Sequence, residues 1–212
     1  MKQTVFIVYA IFLFAPNVFA QNKVHVTVFY ESLCPDSIRF IKNQLEPNYN
    51  NFAPFIDIEF IPFGKSKSFA QGNGIGFTCQ HGPDECAGNK IHSCGLRASQ
   101  TQAEQVEFVT CQMSYGVEGS DLCSEQARLP YEEILECYTS ELGTRLQLDA
   151  EVKTKQLASP REMLSFVPTI IYNHQYDHEK QERSLFEFSK VLCREIKQIS
   201  EQIPAVCAHL HL

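Results

Sequence analysis

The sequence predicts an α/β fold with a helical insertion and a disulfide-stapled loop. Three observations carry that expectation. An alternating β-branched stretch and a second alternating stretch flank a helical pattern near the start of the mature chain. A helical block of roughly fifty to sixty residues follows a glycine- and cysteine-rich segment. A short apolar strand opened by a proline then leads into a closing helix.

The first strand is Lys23 to Tyr30 (KVHVTVFY), alternating and β-branched. Glu31-Ser32-Leu33 follows, then Cys34-Pro35-Asp36-Ser37, then a run in which Ile38, Ile41 and Leu45 have helical spacing. Pro35 suits a first helical turn, where its missing N–H leaves nothing unpaired. Cys34 therefore falls at a strand-to-helix junction. Phe55 to Phe63 (FIDIEFIPF) alternates again, so strand, helix and strand make a βαβ unit.

Residues 64–94 are punctuated by six glycines and hold Cys79, Cys86 and Cys94, and they read as a long loop held by disulfides. Ser99 to Tyr115 and Pro130 to Leu142 read as helices, and Leu146 to Leu157 carries a weaker helical pattern. Phe166 to Tyr172 is a strand opened by Val167-Pro168; Asn173-His174-Gln175 turns the chain; a last helix runs through Leu185 to Ile199.

Composition places this fold in a compartment. The chain has 212 residues, 44% hydrophobic and 20% charged, which excludes wholesale disorder. Its net charge of −7 leaves no basic stripe for phosphates, so nucleic acid is not an expected partner. Residues 1–20 read as a secretory signal peptide: Lys2, an apolar run from Val5 to Phe14, and small Val18 and Ala20 before the cut. A membrane anchor is the competing reading, but the run falls short of the ~20 apolar residues a span needs. The mature domain, 21–212, is then soluble and off the membrane, with an insertion at about 64–160. Nine cysteines in such a lumen are expected to form disulfides.

Nine is odd. Cys79, Cys86, Cys94, Cys111, Cys123, Cys137, Cys193 and Cys207 can close four bridges and leave Cys34 free. Eight cysteines allow 105 pairings, and only Cys193 with Cys207, across the end of the last helix, suggests itself. Cys79, His81, Cys86, His92 and Cys94 have zinc-ligand chemistry, but no regular C-x-x-C pair is present, so no metal is assigned. His81 reads instead as a loop residue satisfying backbone groups, and His25, His209 and His211 carry no motif.

The βαβ start with Cys34 before a helix, the helical insertion and the later Val-Pro strand outline a thioredoxin-like fold. Only a thiolate is nucleophilic, and free helix N–H donors favour it: thiols in this setting can fall to a pKa of ~3.5–7. Cys34 is the candidate catalytic nucleophile, with Pro35, Asp36 and Ser37 completing its motif. In such a fold the matching proline is cis and beside the cysteine, which makes Val167 and Pro168 candidate substrate-binding residues.

Cys79 to Cys94 fits C-Q-H-G-x-x-E-C-x-x-N-x-x-x-x-C at all eight fixed positions. This resembles the signature of the gamma-interferon-inducible lysosomal thiol reductase (GILT) family. Phe29-Tyr30, Ile61-Pro62-Phe63-Gly64, Phe166-Val167-Pro168 and the later cysteines extend the resemblance over about residues 24 to 207. It implies a thioredoxin-like domain with a helical insertion that reduces disulfides of protein substrates in acidic compartments. One position departs: the family's Cys-x-x-Cys is Cys34-x-x-Ser37 here. Ser37 cannot resolve a mixed disulfide, although its hydroxyl is a possible donor to the Cys34 thiolate. No cofactor is expected beyond an external small thiol such as cysteine or glutathione. The alternative is a secreted binding protein that keeps the scaffold without turnover. Asn-x-Ser/Thr sites are absent, which favours secretion over a glycan-routed lysosomal location.

Overall fold

A computed structural model describes residues 22–157 and 164–210. The signal segment 1–20 and His211 lie outside the described residues. Strand β1 (Val24–Tyr30) is central. It pairs in parallel with β2 (Ile56–Pro62), Val24 opposite Ile56 and Tyr30 opposite Pro62. On its other side it pairs antiparallel with β5 (Thr169–Tyr172), Phe29 opposite Thr169.

Between β1 and β2 the chain forms α1 (Pro35–Phe40), a π-helical turn at Ile41–Leu45 and α2 (Glu46–Phe52). The closing helix α8 (His178–Ile199) returns over the same face of the sheet. Val24, Val26, Val28 and Tyr30 point to that face and join Phe40, Ile41, Leu45, Phe52, Phe188 and Leu192 in the main core. Phe29, with Ile61, Phe63, Ile171 and Ala150, fills the opposite face. Both faces of β1 are covered, which explains a strand buried at nearly every position.

The last hairpin is short. Asn173 and His174 both take positive φ, 50° and 62°. Gln175 N–H donates to the Tyr172 carbonyl at 2.9 Å. Two central residues of this kind make a turn that follows strand twist. Among the described residues the hairpin closes on a single bridge, Tyr172 to Gln175.

Residues 64–94 are not the long loop that their glycines suggest. They form an antiparallel hairpin, β3 (Lys67–Gln71) and β4 (Gly74–Thr78), and then most of a sixteen-residue helix, α3 (Pro83–Ala98). The helix start is legible in hindsight: Pro83 stands in its first turn with Asp84 and Glu85, which complement the helix dipole. Gly88 is inside this helix because the chain before Cys34 comes close; a Cβ there would lie 2.4 Å from the Ser32 hydroxyl oxygen.

The insertion continues as α4 (Gln102–Tyr115), α5 (Ser120–Gln126), α6 (Tyr131–Thr139) and α7 (Glu141–Leu157). Thr101 and Glu104 form a reciprocal capping box at the start of α4. Ile91, Phe108, Ile134 and four half-cystines make a second core. Cys94–Cys137 ties α3 to α6 and Cys111–Cys123 ties α4 to α5. Cys79–Cys86 ties the end of the hairpin to the first turn of α3. Cys193–Cys207 fastens the chain end to α8.

Helix α8 starts seven residues before Leu185. Its first turns are polar and give no apolar period, but Asp177 caps them by accepting from Lys180 N–H at 2.9 Å. The helix is kinked at Glu187. The Phe188 N–H instead meets the Gln44 side-chain oxygen at 3.2 Å, which joins the kink to the π-helical turn.

Candidate active site

Cys34 is the free cysteine among the described residues. It is the residue immediately before α1, with extended backbone, and its carbonyl accepts the first helical hydrogen bond from Ile38 N–H at 3.0 Å. The residue is 6% exposed. The thiol points to the Val167 carbonyl oxygen, 3.6 Å away. Val167 precedes Pro168 across a cis peptide bond. Residues 133 positions apart are thus brought together by the antiparallel pairing of β1 with β5.

Gln181, in the first turns of α8, holds the proline side of this pair. Its amide nitrogen donates to the Pro168 carbonyl at 2.9 Å and its amide oxygen accepts from Ile170 N–H at 2.6 Å. Sequence reasoning gave Gln181 no role, since nothing local marks a glutamine on a polar helix face as buried.

The other motif positions divide by exposure. Pro35 is exposed. Asp36 pairs with Arg39 one turn on, at 2.8 Å. Ser37 is fully buried, and its hydroxyl accepts from Glu31 N–H at 3.4 Å. That contact uses a lone pair of the hydroxyl, so the Ser37 O–H itself is left to donate.

That turn, Glu31 to Leu33, is held from α3. Ser32 N–H donates to the Asn89 side-chain oxygen at 2.9 Å, and the Ser32 hydroxyl donates to the Glu85 carbonyl at 3.1 Å. Glu31 is also buried, and its Oε1 accepts from Lys65 N–H at 2.6 Å. Burial raises the Glu31 carboxyl above the ordinary carboxylate range; the Lys65 N–H opposes this and the nearby Glu85 charge adds to it. His81 stands against both acids, 2.5 Å from Glu85 and 3.7 Å from Glu31.

The zinc set considered from the sequence does not assemble. Cys79 and Cys86 are bonded to each other, and Cys94 is bonded to Cys137. His92 faces away, its Nδ1 2.8 Å from the Tyr30 hydroxyl. Burial depresses the His92 pKa to about 3.

The family model for "Gamma interferon inducible lysosomal thiol reductase (GILT)" matches residues 25–141. A gamma-interferon-inducible lysosomal thiol reductase-like protein of Anopheles gambiae is 34% identical, over 93% of this chain and 86% of its own. This chain belongs to the GILT family. GILT-like protein 1 of Drosophila melanogaster is also 34% identical, over 89% of this chain and 80% of its own. The gamma-interferon-inducible lysosomal thiol reductase of Carassius auratus is 30% identical, over 89% and 74%. Among solved structures, DsbA of Chlamydia trachomatis superposes with a TM-score of 0.54 over 84% of this chain and 88% of its own, at 12% identity. That likeness concerns the fold, which is thioredoxin-like. The family is one of thiol reductases, which supports thiol–disulfide oxidoreductase chemistry at the level of the family.

Proposed function

We propose that this GILT-family member reduces disulfides of protein substrates through Cys34 alone, by a monothiol mechanism. The observation that carries the reading is the pairing of the free Cys34 thiol with the Val167 carbonyl while Ser37 occupies the resolving position. The Cys34 thiolate attacks one sulfur of a substrate disulfide. A Cys34–substrate bond forms as the substrate S–S bond breaks, and the departing sulfur leaves as a thiolate that takes up a proton. A small thiol, cysteine or glutathione, then attacks the Cys34 sulfur and releases the reduced substrate. A second small thiol restores Cys34, and the pair leaves as its own disulfide. Two thiols are oxidised for each substrate disulfide reduced.

In this reading Pro35, which is exposed, and the backbone of the buried Val167 beside Cys34 are the groups an incoming polypeptide meets. With a cleaved signal peptide at 1–20, the protein acts after secretion or in an endolysosomal lumen. The second reading, a binding protein on the same scaffold, draws on the burial of Cys34 and on Ser37.

One experiment separates them. Mature protein is mixed with a denatured disulfide-containing protein at acidic pH, without small thiols, and run on a non-reducing gel. A covalent adduct that is absent in Cys34→Ala and is released by added cysteine supports the monothiol enzyme. No adduct with intact protein overturns it in favour of the binding protein.

A further inference from the structure

We propose that Glu31, His81 and Glu85 form a binding site for a divalent transition metal, zinc by ligand type, under the turn that carries Cys34. One ligand atom from each lies within 4.8 Å of the others, and His81 Nδ1 is 3.7 Å from Glu31 Oε2 and 2.5 Å from Glu85 Oε2. No other group of three His, Cys, Asp or Glu ligands converges this way among the described residues.

The two carboxylates are arranged alike. Glu31 Oε1 is anchored by Lys65 N–H at 2.6 Å, and Glu85 Oε1 by His81 N–H at 3.0 Å. Each keeps its second oxygen turned toward the imidazole. Such outer hydrogen bonds fix metal-ligating groups in orientation.

An independent observation points to a missing partner. Glu31 is fully buried, and its Oε2 has no hydrogen-bond partner. A buried unpaired oxygen is uncommon, and an ion is one of the few things that account for it. Two acids with 0% exposed side chains face one histidine, so a dication supplies the charge the cluster lacks. The space is shaped for the acid as well: a Cβ on Gly64 would lie 2.4 Å from Glu31 Cγ, and Gly64 takes a positive φ of 56°.

The two distances to His81 come within about 1 Å of zinc geometry. Bonds of 2.0–2.2 Å in a tetrahedral site put ligand atoms roughly 3.4 Å apart. Glu31 and His81 are at 3.7 Å already, while Glu85 must withdraw from His81, now at 2.5 Å, by about 1 Å. His81 precedes α3 in a turn and its side chain is 31% exposed, so it has room to move and an ion has a way in. Water completes the coordination.

The test uses the mature, disulfide-intact protein with Cys34 alkylated, so that its thiol cannot compete, and zinc as the probe. Isothermal titration at neutral pH should give one zinc per chain. Cobalt(II) in its place should show the visible absorption of a low-coordinate site without thiolate bands. Glu31→Gln and His81→Gln should each weaken zinc by about 100-fold or more, at or above what loss of a supporting partner costs. His25→Gln should leave binding unchanged; it controls for the surface pair of His25 and His174, whose rings are 4.4 Å apart. If Glu31→Gln does not fold, the partly exposed His81 decides. No zinc uptake at millimolar zinc, or uptake that survives His81→Gln, overturns the site.

Discussion

The backbone N–H of Ser32 donates to the side-chain oxygen of Asn89 at 2.9 Å, and both residues are buried. This bond crosses from the turn before Cys34 to the middle of α3, so a helix of the insertion positions the active-site turn of the sheet domain. Asn89 also reaches the Ser66 hydroxyl at 3.5 Å. Asn89→Ala leaves a buried N–H without its acceptor, an effect of about 1–3 kcal/mol. Urea unfolding should show that loss. Cys34 should be alkylated faster in the folded variant, since its turn keeps the Ser32 hydroxyl bond to Glu85 but loses the backbone bond to α3. An unchanged midpoint and alkylation rate would remove α3 from the description of the site.

The insertion's disulfides should differ in weight. Cys94–Cys137 spans 43 residues and joins two helices inside the second core; Cys79–Cys86 spans 7. Loop-closure entropy gives about 4 kcal/mol for the first and about 2.5 kcal/mol for the second. Replacing Cys94 and Cys137 together by Ala should therefore lower the melting temperature more than replacing Cys79 and Cys86 together. The reverse order would mean that the hairpin-to-helix staple holds more of the fold than chain entropy predicts.

Much of this architecture was readable in the chain. The alternation of β1, the Pro35 helix start and the Val167-Pro168 strand each state a local preference that the fold keeps. What was not readable depends on distant contacts. Gly88 reads as a loop residue until the Ser32 side chain is placed against it, and α3 was lost with it. Glu31 and Glu85 are 54 positions apart, and no periodicity connects them. Gln181 looks like a solvated helix residue, and only the short β5 strand makes it a buried clamp. The turn before Cys34 was legible as a strand-to-helix junction; its support from α3 was not.

The Tyr30–His92 pair predicts how acid acts on stability. His92 is buried with its pKa depressed to about 3, and Tyr30 is held well above its usual value by burial. The unfolded chain binds a proton at His92 below a pKa of about 6.5, while the folded chain does not until far lower. The stability tied to neutral His92 is thus complete above that value and is lost as pH falls toward 3. Between pH 7 and 5 the loss is about 2 kcal/mol. His92→Asn offers the Tyr30 hydroxyl a donor and an acceptor but does not titrate. It should lower stability at pH 7 through lost packing, yet flatten the fall between pH 7 and 5 by about 2 kcal/mol. Urea midpoints at the two pH values measure this, and an unflattened fall would show that other groups set the acid response.

Ser37→Cys should convert the adduct-forming protein into one that releases its substrate. Position 37 lies in the first turn of α1, the turn in which the Cys34 carbonyl accepts from Ile38 N–H at 3.0 Å. A thiol there is carried by the same helical turn as Cys34. Its thiolate can attack the Cys34 sulfur of the mixed disulfide, forming an internal disulfide between Cys34 and the introduced thiol and expelling the reduced substrate. Effective molarities for well-placed intramolecular groups reach roughly 10⁵ M, far above any small-thiol concentration in solution. Even a thiol displaced by its larger sulfur, and deprived of the Glu31 N–H that Ser37 accepts at 3.4 Å, should outcompete cysteine or glutathione. In a single-turnover reaction without small thiols, the natural protein should accumulate adduct and release no reduced substrate. The variant should show little adduct, free reduced substrate and one added internal disulfide by mass. Continued turnover of the variant still requires a reductant for that disulfide. If the natural protein releases substrate as fast without small thiols, one of the eight paired cysteines resolves the adduct, and the monothiol mechanism is wrong.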